Sequence, residues 1–139
     1  MDTVKQVKLE KNTREDQRGW GINPLDALGI SDGFSGSMHL VSLKPGAVRG
    51  NHYHTNTTEW IFVFGGKAKI VFKAAQAGSV HQIMVGDSEP ALFEIPPNVE
   101  HAVVNTSMND IYLAVICDSH APDTIYCPAL PPIPINNIE

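Results

Sequence analysis

The sequence predicts an all-β domain, a sandwich or barrel, and three features carry that expectation. Its apolar segments are short and rich in β-branched and aromatic residues. Turn residues punctuate them at close intervals, as in many-stranded antiparallel folds. Helix signals are scarce: the one candidate is 23–30, NPLDALGI, where Asn23 can cap, Pro24 can take the first helical position and Gly29 can end the helix.

The remaining elements follow in order. SMHLVSL at 37–43 is the first expected strand, closed by Lys44-Pro45-Gly46. That triplet suits a type II turn, with proline fixing the first central residue and glycine supplying positive φ at the second. A histidine-bearing strand comes next, and then TEWIFVF at 58–64, ending in Gly65-Gly66. Ile61 and Val63 share a face with Glu59, and Trp60, Phe62 and Phe64 share the other, so this strand should be buried on both sides. KAKIVFK at 67–73, SVHQIMV at 79–85, ALFEI at 91–95, EHAVVN at 100–105 and DIYLAVIC at 110–117 complete the set. Their turns fall at Ala77-Gly78, Pro96-Pro97-Asn98 and Met108-Asn109-Asp110. The tail over 128–139 is proline-rich, cannot pair as a central strand, and should run extended on the surface or across a partner subunit.

Length and composition narrow the function classes. The 139 residues suit one domain, 1–139, and 42% hydrophobic content is enough for a real core. A formal charge of −5, with no basic run, argues against a nucleic-acid partner. No apolar stretch approaches the roughly 18 residues of a membrane span. The N-terminal residues lack the apolar core of a secretory signal, so the expected location is cytoplasmic. Two cysteines do not make a disulfide framework; Cys117, inside IYLAVIC, reads as a core residue.

The chemistry lies in GAVRGNHYHTNTTEWIFVFGG, 46–66. On a strand His52 and His54 point the same way, about 6–7 Å apart at the backbone. Two imidazoles on one face can hold one metal ion, although the pair alone also fits surface histidines on a polar loop. If the polar residues 55–58 reverse the chain, Glu59 opens the next strand beside the histidines. A second region, IPPNVEHAVVN at 95–105, decides between the readings: Asn98 suits a turn at positive φ, and His101 is the natural fourth ligand. His52, His54, Glu59 and His101 together suit one divalent transition metal, whether zinc, iron, manganese, nickel or copper, with positions left open for substrate.

These residues resemble the cupin superfamily. In its first motif five residues separate a glycine from His-x-His, a glutamate follows, and six further residues separate it from a closing glycine. Gly46, His52, His54, Glu59 and Gly66 fit it. In the second motif, at 96–105, Pro96, His101 and Asn105 fit, Asn98 stands where glycine is usual, and Gly86 lies too far away to be the leading glycine. The resemblance implies a double-stranded β-helix, the cupin jelly-roll barrel, and the same four metal ligands. DQRGW at 16–20, RGNHYH at 49–54, Ile95-Pro96-Pro97 and the Pro122-Asp123-Thr124 segment with Tyr126 are similar to the RmlC-like sugar-nucleotide epimerases and isomerases. They are most similar to the C-terminal cupin of bifunctional capsular-polysaccharide enzymes. The lysine of the rhamnose-pathway epimerases is replaced here by the aromatic run, so lysine-assisted chemistry does not carry over.

The resemblance implies an epimerase or isomerase of a nucleotide-linked keto sugar in surface-polysaccharide biosynthesis. The alternatives are a metal-dependent dioxygenase and a non-catalytic sugar-binding cupin; fold resemblance alone does not choose among them. His39, if on the inner face of its strand, is the candidate base, and Tyr112 the candidate proton donor. Arg49 can clamp a phosphate or stand as an ordinary surface arginine, and Asn105 joins it as a candidate substrate-binding residue. The partners expected are a small-molecule substrate and a second copy of the chain, because a strand apolar on both faces has surface to cover.

Overall fold

The computed structural model describes residues 3–10, 13–75, 78–87, 89–128 and 130. Among them lie twelve strands and one helix. The chain opens with β1 (Lys5–Val7), β2 (Thr13–Asp16), β3 (Gly19–Ile22) and α1 (Pro24–Leu28). Next come β4 (Ser37–Leu43), β5 (Val48–Tyr53), β6 (Glu59–Phe64), β7 (Ala68–Ala74) and β8 (His81–Val85). It closes with β9 (Ala91–Ile95), β10 (Val99–Asn105), β11 (Ile111–Cys117) and β12 (Ile125–Tyr126).

Two five-stranded sheets face each other, one ordered β1-β9-β6-β11-β4 and the other β12-β5-β10-β7-β8. The strand pairs are antiparallel, and from β4 onward the chain passes from sheet to sheet at every connection except the β7–β8 hairpin. This is the jelly-roll expected from the sequence. One local expectation changes. The polar residues 55–58 do not turn the chain back beside β5; they carry it across the barrel, so Glu59 enters the opposite sheet.

Alternation along the strands generates three apolar layers. Between the sheets lie Leu43, Ile61, Val63, Ile70, Phe93, Ile95, Val103, Ile111, Leu113 and Val115. Cys117 is buried among them, as expected for a core thiol. Trp60, Phe62, Leu92, Ala114 and Ile116 form the outer face of the first sheet. The covering layer there is the chain's own: Ile22 of the β2–β3 hairpin, Leu25 and Leu28 of α1, Ile30 and Phe34 pack on it. Trp20 sets its ring edge-on to Phe62 and Phe64 at 6.0 and 5.9 Å. The aromatic row therefore needs no second subunit to cover it.

Local rules account for the framing turns. Asn23 accepts from the backbone N–H groups of Leu25 and Asp26, Pro24 occupies the first turn of α1, and Gly29 ends it in the left-handed region at φ +71. The Lys44–Ala47 turn closes with Ala47 N–H donating to Lys44 O at 2.9 Å, and Gly46 has φ +78. No helix among the described residues is long and apolar enough to cross a membrane. Most of the proline-rich tail (129 and 131–139) lies outside the described residues, and so does the expectation for its course. Leu130, which is described, is buried on the outer face of the second sheet against Val48, Val71, Ala102 and Val104.

Candidate metal centre

The centre is assembled from both sheets. β5 and β10 pair with His52 opposite His101, and the register slips between His101 and Ala102. Such a bulge twists the strand and re-aims its side chains. Gly50, at φ +114, sits against it: a Cβ there would stand 2.7 Å from His101 O and 2.9 Å from Ala102 Cα. Asn51 follows at φ +57. The Gly-Asn pair thus bends the strand just before the histidines.

The four expected ligands converge. The His52 ring centroid is 5.1 Å from that of His54 and 4.9 Å from that of His101. Donor atoms of His52, His54 and Glu59 all lie within 4.8 Å of one another. Glu59 reaches in from the facing sheet. Its Oε2 lies 3.2 Å from His54 Nε2 and its Oε1 lies 2.7 Å from His101 Nε2. His54, Glu59 and His101 are all buried, at 6%, 5% and 2% exposure, so these contacts are shielded from water.

The remaining ring nitrogens test whether a cation fits. His54 Nδ1 lies 2.6 Å from Asp123 O, and His101 Nδ1 lies 2.9 Å from Val99 O. A carbonyl oxygen only accepts, so both Nδ1 atoms donate. In the neutral rings both Nε2 lone pairs therefore face one buried carboxylate. Acceptors directed at each other in a dry site need either added protons or a cation between them. Nδ1 tied to a carbonyl with Nε2 free is the usual arrangement of a metal-binding histidine. The donor set fits a divalent transition ion.

Electrostatics agree with that reading. Burial lowers the His52 pKa to about 4, with the neighbouring histidines adding to the effect, so its imidazole is neutral and ligand-ready near pH 7. Burial pulls the Glu59 carboxyl upward, but hydrogen bonds from His101 and His54 outweigh it and hold it well below the usual carboxylate range. The bond to Glu59 raises His54, against the opposing effect of burial. Cys117, whose Sγ lies 3.9 Å from Glu59 Oε2, is pushed up to about 11 by burial first, and stays a thiol.

A cavity of about 430 Å³ opens over this cluster, within the ~300–1,000 Å³ of small-molecule sites. Val41, Ile61, Val103, Leu113 and Val115 give it apolar walls. His39 lines it from β4, on the inner face as the base assignment requires, and Arg49 lines it from β5. Arg49 Nε donates to Ser42 O at 3.0 Å, which fixes the stem of the guanidinium.

Two expected site residues are elsewhere. Tyr112 is not in the cavity: strand parity puts it with Ala114 and Ile116 on the outer face of the first sheet, tilted against Phe64 at 5.8 Å. Asn105 is a loop staple. Its Nδ2 donates to Leu43 O and Asn109 O, and its Oδ1 accepts from Ser107 N–H and hydroxyl. With those groups engaged at 1% exposure, Asn105 has nothing to offer a substrate.

Sequence reasoning missed three contributors, all in the segment after β11. Tyr126 lines the cavity with its ring edge-on to His52 at 5.9 Å, and Cys127 lines it too. Asp123 supplies the carbonyl that holds His54, and its carboxylate, lowered chiefly by the Thr55 hydroxyl, accepts from Thr55 and Asn56. The only signal was the resemblance of the Pro122–Thr124 segment, which carried no geometry.

Comparison with known proteins places the chain in a family. No curated protein matches the sequence. Among solved structures, the capsular polysaccharide assembling protein CapF from Staphylococcus aureus superposes with a TM-score of 0.62 at 24% identity, over 66% of this chain and 26% of its own. The chain thus spans about a quarter of that protein's length. The 3,4-ketoisomerase QdtA from Thermoanaerobacterium thermosaccharolyticum, solved in complex with TDP, gives a TM-score of 0.69 at 18% identity over 90% of this chain and 88% of its own. The dTDP-6-deoxy-D-glucose-3,5-epimerase RmlC from Legionella pneumophila, in complex with dTDP-4-keto-L-rhamnose, gives 0.62 at 18% identity, over 86% and 73%. At these identities the likeness establishes a shared cupin-type, RmlC-like fold. The family model described as the polysaccharide biosynthesis C-terminal domain matches residues 14–125, and the chain belongs to that family.

Proposed function

We propose that this domain is a metal-dependent epimerase or isomerase of a nucleotide-linked keto sugar, serving surface-polysaccharide biosynthesis in the cytoplasm as a homodimer. The observation that carries the reading is the convergence of buried His54, Glu59 and His101 with half-buried His52 at an open cavity that His39 and Arg49 also line. Family membership supports the biosynthetic setting. The ligands of two structural neighbours, TDP and dTDP-4-keto-L-rhamnose, support the substrate class.

His52, His54, Glu59 and His101 would hold the ion, and when bound it would supply Lewis-acid polarisation of the substrate ketone. The rest falls to the chain. Arg49 offers paired N–H groups to a phosphate oxygen at the cavity wall. Val41, Ile61, Val103, Leu113 and Val115 offer the sugar an apolar wall beside the cluster. His39, not engaged in the cluster, takes the proton from the carbon beside the carbonyl. The C–H electron pair moves toward that carbonyl. In an isomerisation His39 returns the proton to the former carbonyl carbon while the neighbouring hydroxyl proton passes to the former carbonyl oxygen. In an epimerisation His39 keeps its proton while solvent from the open cavity supplies one to the opposite face of the same carbon.

Solvent exchange tests this. In D2O, a panel of nucleotide-linked 4-keto sugars should take up deuterium next to the carbonyl. His39→Gln should slow uptake by about 10²–10⁴-fold, the usual contribution of a general base. No uptake across the panel would contradict the proposal.

A further inference from the structure

We propose that Asp123 is the positioning residue of the His54 ligand, and that residues 122–127 form a clasp whose docking and metal binding support each other. The inference rests on the metal reading above. Asp123 touches the ligand strand through both backbone and side chain. Its carbonyl accepts from His54 Nδ1 at 2.6 Å. Its Oδ1 accepts from the N–H groups of Thr55 and Asn56 at 3.0 and 3.3 Å, and its Oδ2 accepts from the Thr55 hydroxyl. In return Asn56 Oδ1 accepts from Asp123 N–H at 3.4 Å.

Geometry makes the carboxylate the anchor. A backbone carbonyl fixes an imidazole only if the backbone itself is fixed, and this segment otherwise has one two-residue strand, β12, pairing Ile125 with Tyr53 and Tyr126 with His52. The carboxylate bonds tie Asp123 to the two residues that directly follow His54. They hold its carbonyl against Nδ1 and thus select the tautomer whose Nε2 faces Glu59. Farther along, Cys127 N–H donates to Asn51 O at 2.7 Å, and Tyr126 stands at the cavity. The clasp therefore grips the ligand strand continuously from 51 to 56.

Two consequences follow. Loosening a partner that orients a metal-bound histidine typically weakens metal affinity by about 10–100-fold. If docking favours the metal, the metal must favour docking by the same factor.

The test is metal affinity by chelator competition with Co²⁺ and Zn²⁺, on wild type, Asp123→Ala and Asp123→Asn, with imidazole NMR of the metal-free proteins. Asp123→Ala should weaken binding by about 10–100-fold and lose the uniform Nδ1–H state of His54. Asp123→Asn, whose amide oxygen can still accept from Thr55 and Asn56, should recover most of both. Metal should slow chymotryptic cleavage after Tyr126 in the wild type and do so less in Asp123→Ala. Should Asp123→Ala fail to fold, Thr55→Ala, which removes one donor to the same carboxylate, should show a smaller loss in the same direction. Unchanged affinity and tautomer in the folded variants would overturn this inference alone, leaving a turn cap. A wild type that binds neither ion would overturn the metal reading and this inference with it.

Discussion

At the residue scale, the centre depends on a position with no side chain. Gly50 occupies φ +114 and leaves only 2.7 Å between an added Cβ and His101 O. Both the conformation and the contact exclude other residues. Gly50→Ala should cost about 1–3 kcal/mol from backbone strain alone, read as a lower urea midpoint. It should also disturb the bulge that aligns His52 with His101, so metal affinity should fall with stability. A variant as stable as wild type would mean that the bulge is not confined as described. The convergence of His52, His54, Glu59 and His101 was legible in the sequence because their types and spacings are rare in combination. Tyr112 could not be placed from the sequence because the parity of 110–117 decides its face and an apolar run leaves that parity open. Asn105 was misjudged because an asparagine that satisfies a loop has the same letter as one that binds a ligand.

At the element scale, strand positions were readable from apolar runs bounded by turn residues, and α1 from its cap, proline and terminal glycine. β1, β2 and β3 were not. They are short, polar or glycine-containing, and become strands only by pairing with β9 or with each other. The sheet to which each strand goes was equally hidden, since the crossing of residues 55–58 is a tertiary outcome. Dimerisation also belongs at this scale. β4 is an edge strand, SMHLVSL, without charge or proline, and its outward Met38 and Leu40 are 63% and 70% exposed. Edges left in that state invite pairing with another chain. Two copies should associate through it, and Leu40→Lys should shift light scattering from dimer to monomer at micromolar concentration. A monomeric wild type, or a variant that stays dimeric, would contradict this.

At the scale of the whole molecule, the barrel brings one carboxylate from one sheet to three imidazoles of the other, at the floor of an open cavity. The three apolar layers make that possible: one fills the barrel, and the other two let both sheets be covered on their outer faces. A fold held mainly by such layers can accommodate a polar cluster whose members face one another across its interior. In the cluster two Nδ1 atoms are committed to carbonyls and two Nε2 atoms converge on Glu59, an arrangement that a shared cation would complete. The most direct test is metal content per chain, measured by elemental analysis of the purified wild type and of His54→Ala. The expected result is about one equivalent of a divalent transition ion in the wild type, as for a single four-ligand site, and a sharp fall in the variant. A metal-free wild type after exposure to such ions, or a full equivalent retained by His54→Ala, would contradict it.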